Sequence, residues 1–162
     1  MARPAGFWVP TPKSGFGTVL LQVDYKGQCG CGSSKKFSRT IELDEYQTLD
    51  DLHYAILSEL HWTDEHLYSF FLAPKPYSHN PELEFTRSKE TAEQTGAKTA
   101  DVPLKGLGLK KGQKFCYVYD FGDDHQFQIN VIGFGKIQPK EKYPKLIKKN
   151  GESIKQYPDL EE

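Results

Sequence analysis

Residues 117–131, YVYDFGDDHQFQINV, hold two alternating aromatic runs split by a knot of acids, and their reading decides the fold. In 114–121, Phe115, Tyr117, Tyr119 and Phe121 share one face of an extended chain; in 125–132, Phe127, Ile129 and Val131 share one. A two-residue loop at Gly122 and Asp123 would set Tyr119 opposite Gln126, joining an apolar face to a polar one. A three-residue loop pairs Phe121 with His125 and Tyr119 with Phe127, and a five-residue loop keeps that parity. Because a slip of one residue turns every side chain to the other face, the pattern predicts a hairpin with an odd-length loop. Gly122 suits a positive φ, and the side chains of Asp123 and Asp124 are of the kind that bond nearby backbone amides in turns.

Two chemical readings compete with the turn. An Asp-Phe-Gly magnesium clamp needs a glycine-rich phosphate loop, a strand lysine and a His-Arg-Asp loop, and the chain has none of them. Asp120, Asp123, Asp124 and His125 are the residue types that ligate metals. Neighbouring strand residues point to opposite faces, however, so the four do not all converge on one ion. The turn is the stronger reading.

Outward from the hairpin, GTVLLQVDYKG alternates with Val19, Leu21 and Val23 on one face and Gln22 and Asp24 on the other. FSRTIELDE repeats this with Phe37, Ile41 and Leu43, which predicts a second strand. QCGCGSSKK between them reads as a hairpin loop. Thr48 with Asp51 three residues on resembles a capping box. Leu49, Leu52, Ile56 and Leu60 then form one helical stripe ending near His61 and Trp62. HLYSFFLAP is a third strand stopped by Pro74 and Pro76. Residues 74–101 read as a long polar, mobile excursion with a short strand at 83–85, and VPLKGLGLKKG as a single helical turn. The expected architecture is α+β, a mixed or antiparallel sheet with one main helix across one face. Residues 1–16 are an N-terminal extension, 17–135 one domain, and 136–162 a lysine-rich tail lying on the surface of the domain.

Bulk properties exclude several classes. The chain has 162 residues, 27% of them charged, and a net charge of −1, so no overall field draws it to nucleic acid or membranes. The charge is uneven. Residues 42–66 hold eight acids and no Lys or Arg, whereas 136–155 hold seven lysines against Glu141 and Glu152, a net of 7 − 2 = +5. No apolar run is long enough to cross a membrane as a helix, and the N-terminus lacks the apolar core of a secretory signal. Three cysteines, an odd count, argue against a secreted disulfide framework, so a cytoplasmic location is expected.

LHWTDEHLYSF, followed much later by FCYVYDFGDD, resembles the plasmid pRiA4b ORF-3-like family, the passenger proteins of a mobile element. Trp62, His66, Leu67, Phe70, Tyr117, Tyr119, Asp120, Phe121, Gly122 and Asp123 match its pattern, and Tyr143-Pro144 and Tyr157-Pro158 match its closing segment. The resemblance covers most of 17–158 and implies a β-grasp-like α+β fold with no activity to carry over. The family places Trp and His where this chain has His125 and Phe127, so a role resting on the family histidine loses its residue.

Other candidates carry less. Cys29 and Cys31 form half of a zinc module whose second pair is absent, although an exposed pair is open to oxidation. GLGLKKG has the wrong spacing for a dinucleotide turn. His53 and His61 are eight apart rather than four, and His66 reads as a structural residue bonding backbone beside Trp62. No cofactor is implied. The expected function is a non-catalytic protein-interaction module, with strand addition at a sheet edge as its physical basis. The alternative is a nucleic-acid-associated accessory of a mobile element, acting through Lys136, Lys140, Lys142, Lys145, Lys148 and Lys149. A metal-dependent enzyme built on Asp120–His125 ranks third.

Overall fold

A computed structural model describes residues 17–77 and 80–157, so the N-terminal extension and Pro158 lie outside the described residues. The chain opens with β1 (Thr18–Gln28) and β2 (Ser38–Asp44), an antiparallel pair. Val19, Leu21 and Val23 are buried on the face that the alternation predicted. Helix α1 (Leu49–Leu60) follows, and the capping box at its start is real. Thr48 accepts from the Asp51 amide at 3.1 Å while the Asp51 carboxylate accepts from the Thr48 amide at 2.8 Å. His61 in the left-handed conformation ends the helix. The stripe of Leu49, Leu52, Ile56 and Leu60 is fully buried, each side chain worth about 1.5–3 kcal/mol when taken from water.

β3 (Tyr68–Phe71), β6 (Lys114–Tyr119) and β7 (His125–Gly135) carry the aromatic core, with a short helical turn at Leu104–Leu107 before β6. The loop between β6 and β7 is residues 120–124, odd in length as parity required. Tyr119 pairs with His125 and Tyr117 with Phe127 across it, and Tyr119 and Phe127 share the buried side.

The stretch 74–101 holds more structure than its polarity announced. It contains β4 (Glu84–Thr86), α2 (Lys89–Thr95) and β5 (Lys98–Thr99). Only Ala92 of α2 is buried, so the helix leaves no apolar period; Ser88 at its start and left-handed Gly96 at its end define it instead. Residues 145–150 also correct the expectation of a tail laid over the surface. They form β8 (Lys145–Asn150), paired antiparallel with β2. The pairing slips between Thr40 and Ile41, and both Leu146 and Ile147 stay exposed, so no alternation marks the strand.

Among the described residues, eight strands form one mixed sheet in the order β5-β4-β3-β6-β7-β1-β2-β8, in which only β4 and β5 are parallel. This is the α+β class expected. Phe71, Cys116 and Val118 make a second small cluster, and the Cys116 thiol donates to the carbonyls of Ala73 and Pro74.

Candidate functional site

Asp120 and Asp124 shape the 120–124 turn. Asp120 and Asp124 both take a positive φ, 64° and 53°. The Asp120 carboxylate accepts from the amides of Gly122 at 3.1 Å and Asp123 at 3.3 Å, a side-chain turn that satisfies donors the loop leaves open. Asp124 accepts from the Tyr77 hydroxyl and from Gln126 Nε2, and its carbonyl accepts from the Cys29 amide at 2.8 Å. Asp123 is left 3.9 Å from His125 Nε2. Among the described residues, no three His, Cys, Asp or Glu side chains are placed to share a metal ion.

The family-type residues converge on this turn as a clasp. The Tyr119 hydroxyl accepts from the amides of Glu65 and His66 and donates to the Thr63 carbonyl at 2.8 Å. The Asp120 amide donates to the Leu67 carbonyl. Trp62 Nε1 donates to the Ile154 carbonyl, and the Thr63 amide donates to Gln156 Oε1. The His66 ring bonds the Tyr157 hydroxyl at 2.7 Å and lies 3.5 Å from Asp120, so its partners are side chains and not the backbone expected for it. The loop after α1, the hairpin turn and the closing segment are thereby tied together. Phe70 and Tyr117 stack in the core, whereas Leu67 and Phe121 are exposed.

His125 is buried against Trp62, ring centroids 4.4 Å apart, and its Nδ1 meets the Tyr25 hydroxyl at 2.8 Å. Burial pushes the His125 pKa down, against the pull of the neighbouring acids. Burial and the charge of Asp123 raise Tyr25 to about 12.

A second cluster, unforeseen in the sequence, centres on His53. Its Nε2 faces the Asp64 carboxylate at 3.1 Å and its Nδ1 the Tyr117 hydroxyl at 2.5 Å. A carboxylate only accepts, so Nε2 carries the proton and Nδ1 accepts from Tyr117. The Tyr68 ring stacks on the imidazole at 3.9 Å and its hydroxyl donates to Asp50. Arg87 closes the chain with a two-pronged bond to Asp64 at 2.5 and 2.6 Å. Burial pushes His53 down to about 4, Asp64 opposing and Arg87 assisting. Burial raises Asp64, but the bonds and charge of Arg87 and His53 outweigh it and hold the carboxyl below its usual range. The signal was present: His53 lies four after Leu49 and three before Ile56, a polar residue on the buried stripe, which demands partners.

Cys29 and Cys31 are bonded to each other in the β1–β2 loop, so neither offers a thiolate to zinc. Of the six lysines, Lys136, Lys140, Lys142, Lys148 and Lys149 are exposed, and Lys145 is half-buried with Nζ 3.2 Å from Glu141. Lys145, Lys148 and Lys149 belong to β8, the last strand of the sheet. Between β8 and α1 runs a cleft of about 310 Å³ lined by Ile41, Tyr54, Ala55, Ser58, Pro144 and Leu146. No helix among the described residues is long and apolar enough to cross a membrane.

A profile of the family described as "Plasmid pRiA4b ORF-3-like protein" matches residues 31–156. The fold is similar to the crystal structure of MM3350, a protein of unknown function from Methanosarcina mazei Go1. The TM-score is 0.66 at 20% identity, covering 86% of this chain and 72% of that one. No curated protein matches the chain.

Proposed function

The chain belongs to the plasmid pRiA4b ORF-3-like family, and we propose that it is a non-catalytic, cytoplasmic protein-interaction module that adds an extended, acidic segment of a partner to its sheet at β8. The observation that carries this reading is an outermost strand lying beside a cleft lined in part by Ile41, Tyr54, Ala55 and Leu146. Among the described residues no strand covers the outer edge of β8. Its backbone offers the ladder of donors and acceptors that strand addition uses, and the cleft beside it offers a seat for alternate side chains. Tyr54 on α1 and Leu146 on β8 are 48% and 40% exposed, large apolar groups left at its mouth.

Charge selects the partner. Lysines on an edge strand resist indiscriminate pairing, and an acidic strand is the kind such an edge admits. The two acids lining the cleft are already engaged, Asp51 in the helix cap and Glu59 with Arg39 at 2.9 Å. Selection from a random peptide library tests the reading. Extended sequences alternating apolar and acidic residues are expected, with Tyr54→Ala plus Leu146→Ser abolishing their binding and leaving the circular dichroism intact. Peptides that bind equally well to the double variant would remove it.

Association with nucleic acid is the second reading, supported by the +5 balance of residues 136–155. It requires affinity for single- or double-stranded oligonucleotides that drops steeply with salt. Flat or absent binding eliminates it.

A further inference from the structure

We propose that Asn150 is a self-modification site. With Gly151 it closes to a succinimide that water opens to isoaspartate, and the change loosens the joint between β8 and the closing segment. Such a reaction begins when the main-chain nitrogen of the following residue attacks the asparagine side-chain carbonyl, and a side chain on that residue obstructs the approach. Of the three asparagines in the chain, only Asn150 precedes a glycine. Asn80 precedes Pro81, whose nitrogen has no hydrogen to give up. Asn130 precedes β-branched Val131 and is held in mid-sheet, paired with Gln22 on one side and Lys114 on the other. Asn150 has neither obstacle. It is exposed at the last position of β8, a strand that among the described residues pairs with β2 alone.

The fold sets the rate. Asn150 is paired with Ser38, and an antiparallel strand holds ψ near about +135°. Ring closure requires ψ to swing well away from that value, so the docked strand withholds the reactive geometry. Arg39, itself buried, fastens the joint: its Nη1 donates to the carbonyls of Asn150 at 3.3 Å and Gly151 at 3.0 Å. A Cβ on Gly151 would run into the Lys36 carbonyl, so docking demands glycine there. The residue that the fold requires is therefore the one that leaves Asn150 open to attack. Beyond the joint, the Ser153 hydroxyl donates to the Leu60 carbonyl and the Ile154 carbonyl accepts from Trp62. The chain is thus held on both sides of the Asn150–Gly151 bond.

In the reaction the Gly151 nitrogen, having lost its proton to hydroxide, forms a bond to Asn150 Cγ. The side-chain nitrogen leaves as ammonia, taking a proton from water, and a five-membered imide remains. Water then opens the imide. Cleavage at the former main-chain carbonyl gives isoaspartate, with the side-chain methylene now in the main chain; cleavage at Cγ gives aspartate. No oxidant or reductant takes part. The extra methylene moves Gly151 away from Arg39 and Lys36, so the end of the β2–β8 ladder and the closing segment no longer both fit. The modification stands whether or not β8 receives a partner strand.

The full chain is aged in mildly alkaline buffer, folded and in guanidinium chloride, and each asparagine is followed by peptide mass mapping with an isoaspartate-specific methyltransferase as reagent. Conversion is expected at Asn150 with isoaspartate the larger product, Asn80 and Asn130 staying intact, and about tenfold or more faster in the unfolded chain. Arg39→Met, checked by circular dichroism, should convert faster than wild type. The converted protein, separated by its added negative charge, should exchange amide hydrogens faster at residues 38–40 than unconverted protein of the same age. A folded chain that gains no isoaspartate, equal rates folded and unfolded, or Asn80 or Asn130 keeping pace with Asn150 would overturn the proposal. So would an Arg39→Met rate no higher than wild type, or hydrogen exchange that conversion leaves unchanged.

Discussion

At the scale of single residues, His53 carries the sharpest consequence. Its pKa in the folded protein is about 4, below the ordinary 6.5, so as the pH falls the unfolded chain takes up this proton first. The stability it supports is intact above pH 6.5 and drains away toward pH 4, by about 3 kcal/mol at the limit. Depression of His125 works in the same direction. Urea midpoints at pH 7 and pH 4.5 are expected to differ, and the His53→Leu, Tyr117→Phe double variant should show a shallower fall. The same pair predicts non-additivity. Tyr117→Phe leaves His53 Nδ1 buried without a donor and costs about 1–3 kcal/mol, whereas removing both partners costs less than the two single losses combined. Sequence alone exposed the raw material of this cluster but not its assembly. His53, Asp64, Arg87 and Tyr117 meet only because α1, the loop after it, the end of β4 and β6 are folded together, and no spacing in the chain announces that.

At the scale of elements, local chemistry was readable and tertiary edges were not. The hairpin parity, the Thr48–Asp51 cap and the α1 stripe follow from two, three or four residues of spacing, and each is found in the fold. The cap predicts a loss of about 1 kcal/mol for Thr48→Ala, measured by denaturant unfolding. In the 120–124 turn, Asp120 supplies both a tolerated positive φ and a carboxylate for two amides. Asp120→Gly loses only the second and Asp120→Ala loses both, so the unfolding midpoints should rank wild type, then glycine, then alanine. β8 escaped notice because its contacts are with β2, about a hundred residues earlier, and its own face has no clean alternation. Its attachment runs through Gly151, at φ 89°, where a Cβ would lie 1.8 Å from the Lys36 carbonyl oxygen. Gly151→Ala should release the strand. Hydrogen exchange would speed up at residues 38–42 while the β1–β7 ladder stays protected.

At the scale of the whole molecule, length pointed to one core of ordinary size and the order of periodic segments to the α+β class, and Tyr68 and Tyr117 of the sheet meet α1 at His53. Strand order was beyond reach: nothing in residues 18–28 says that their second neighbour is 125–135. The lysine excess looked like a property of a tail, yet three of those lysines, Lys145, Lys148 and Lys149, belong to a strand of the sheet. The cysteine pair likewise turns out to be a closed bridge on an exposed loop held beside the 120–124 turn.

The β1–β7 ladder joins residues 18 and 135 at one end and 28 and 125 at the other, so the middle of the sheet is zipped from segments that are synthesised far apart in time. Such topology places folding among the slow classes, milliseconds or longer, since a large loop must close before any central contact rewards it. Stopped-flow refolding followed by tryptophan fluorescence should therefore lag far behind the kinetics of helical bundles of equal length. Until that closure, the first hairpin and α1 wait with an oily flank uncovered, and a nascent chain in this state is a natural client for a chaperone.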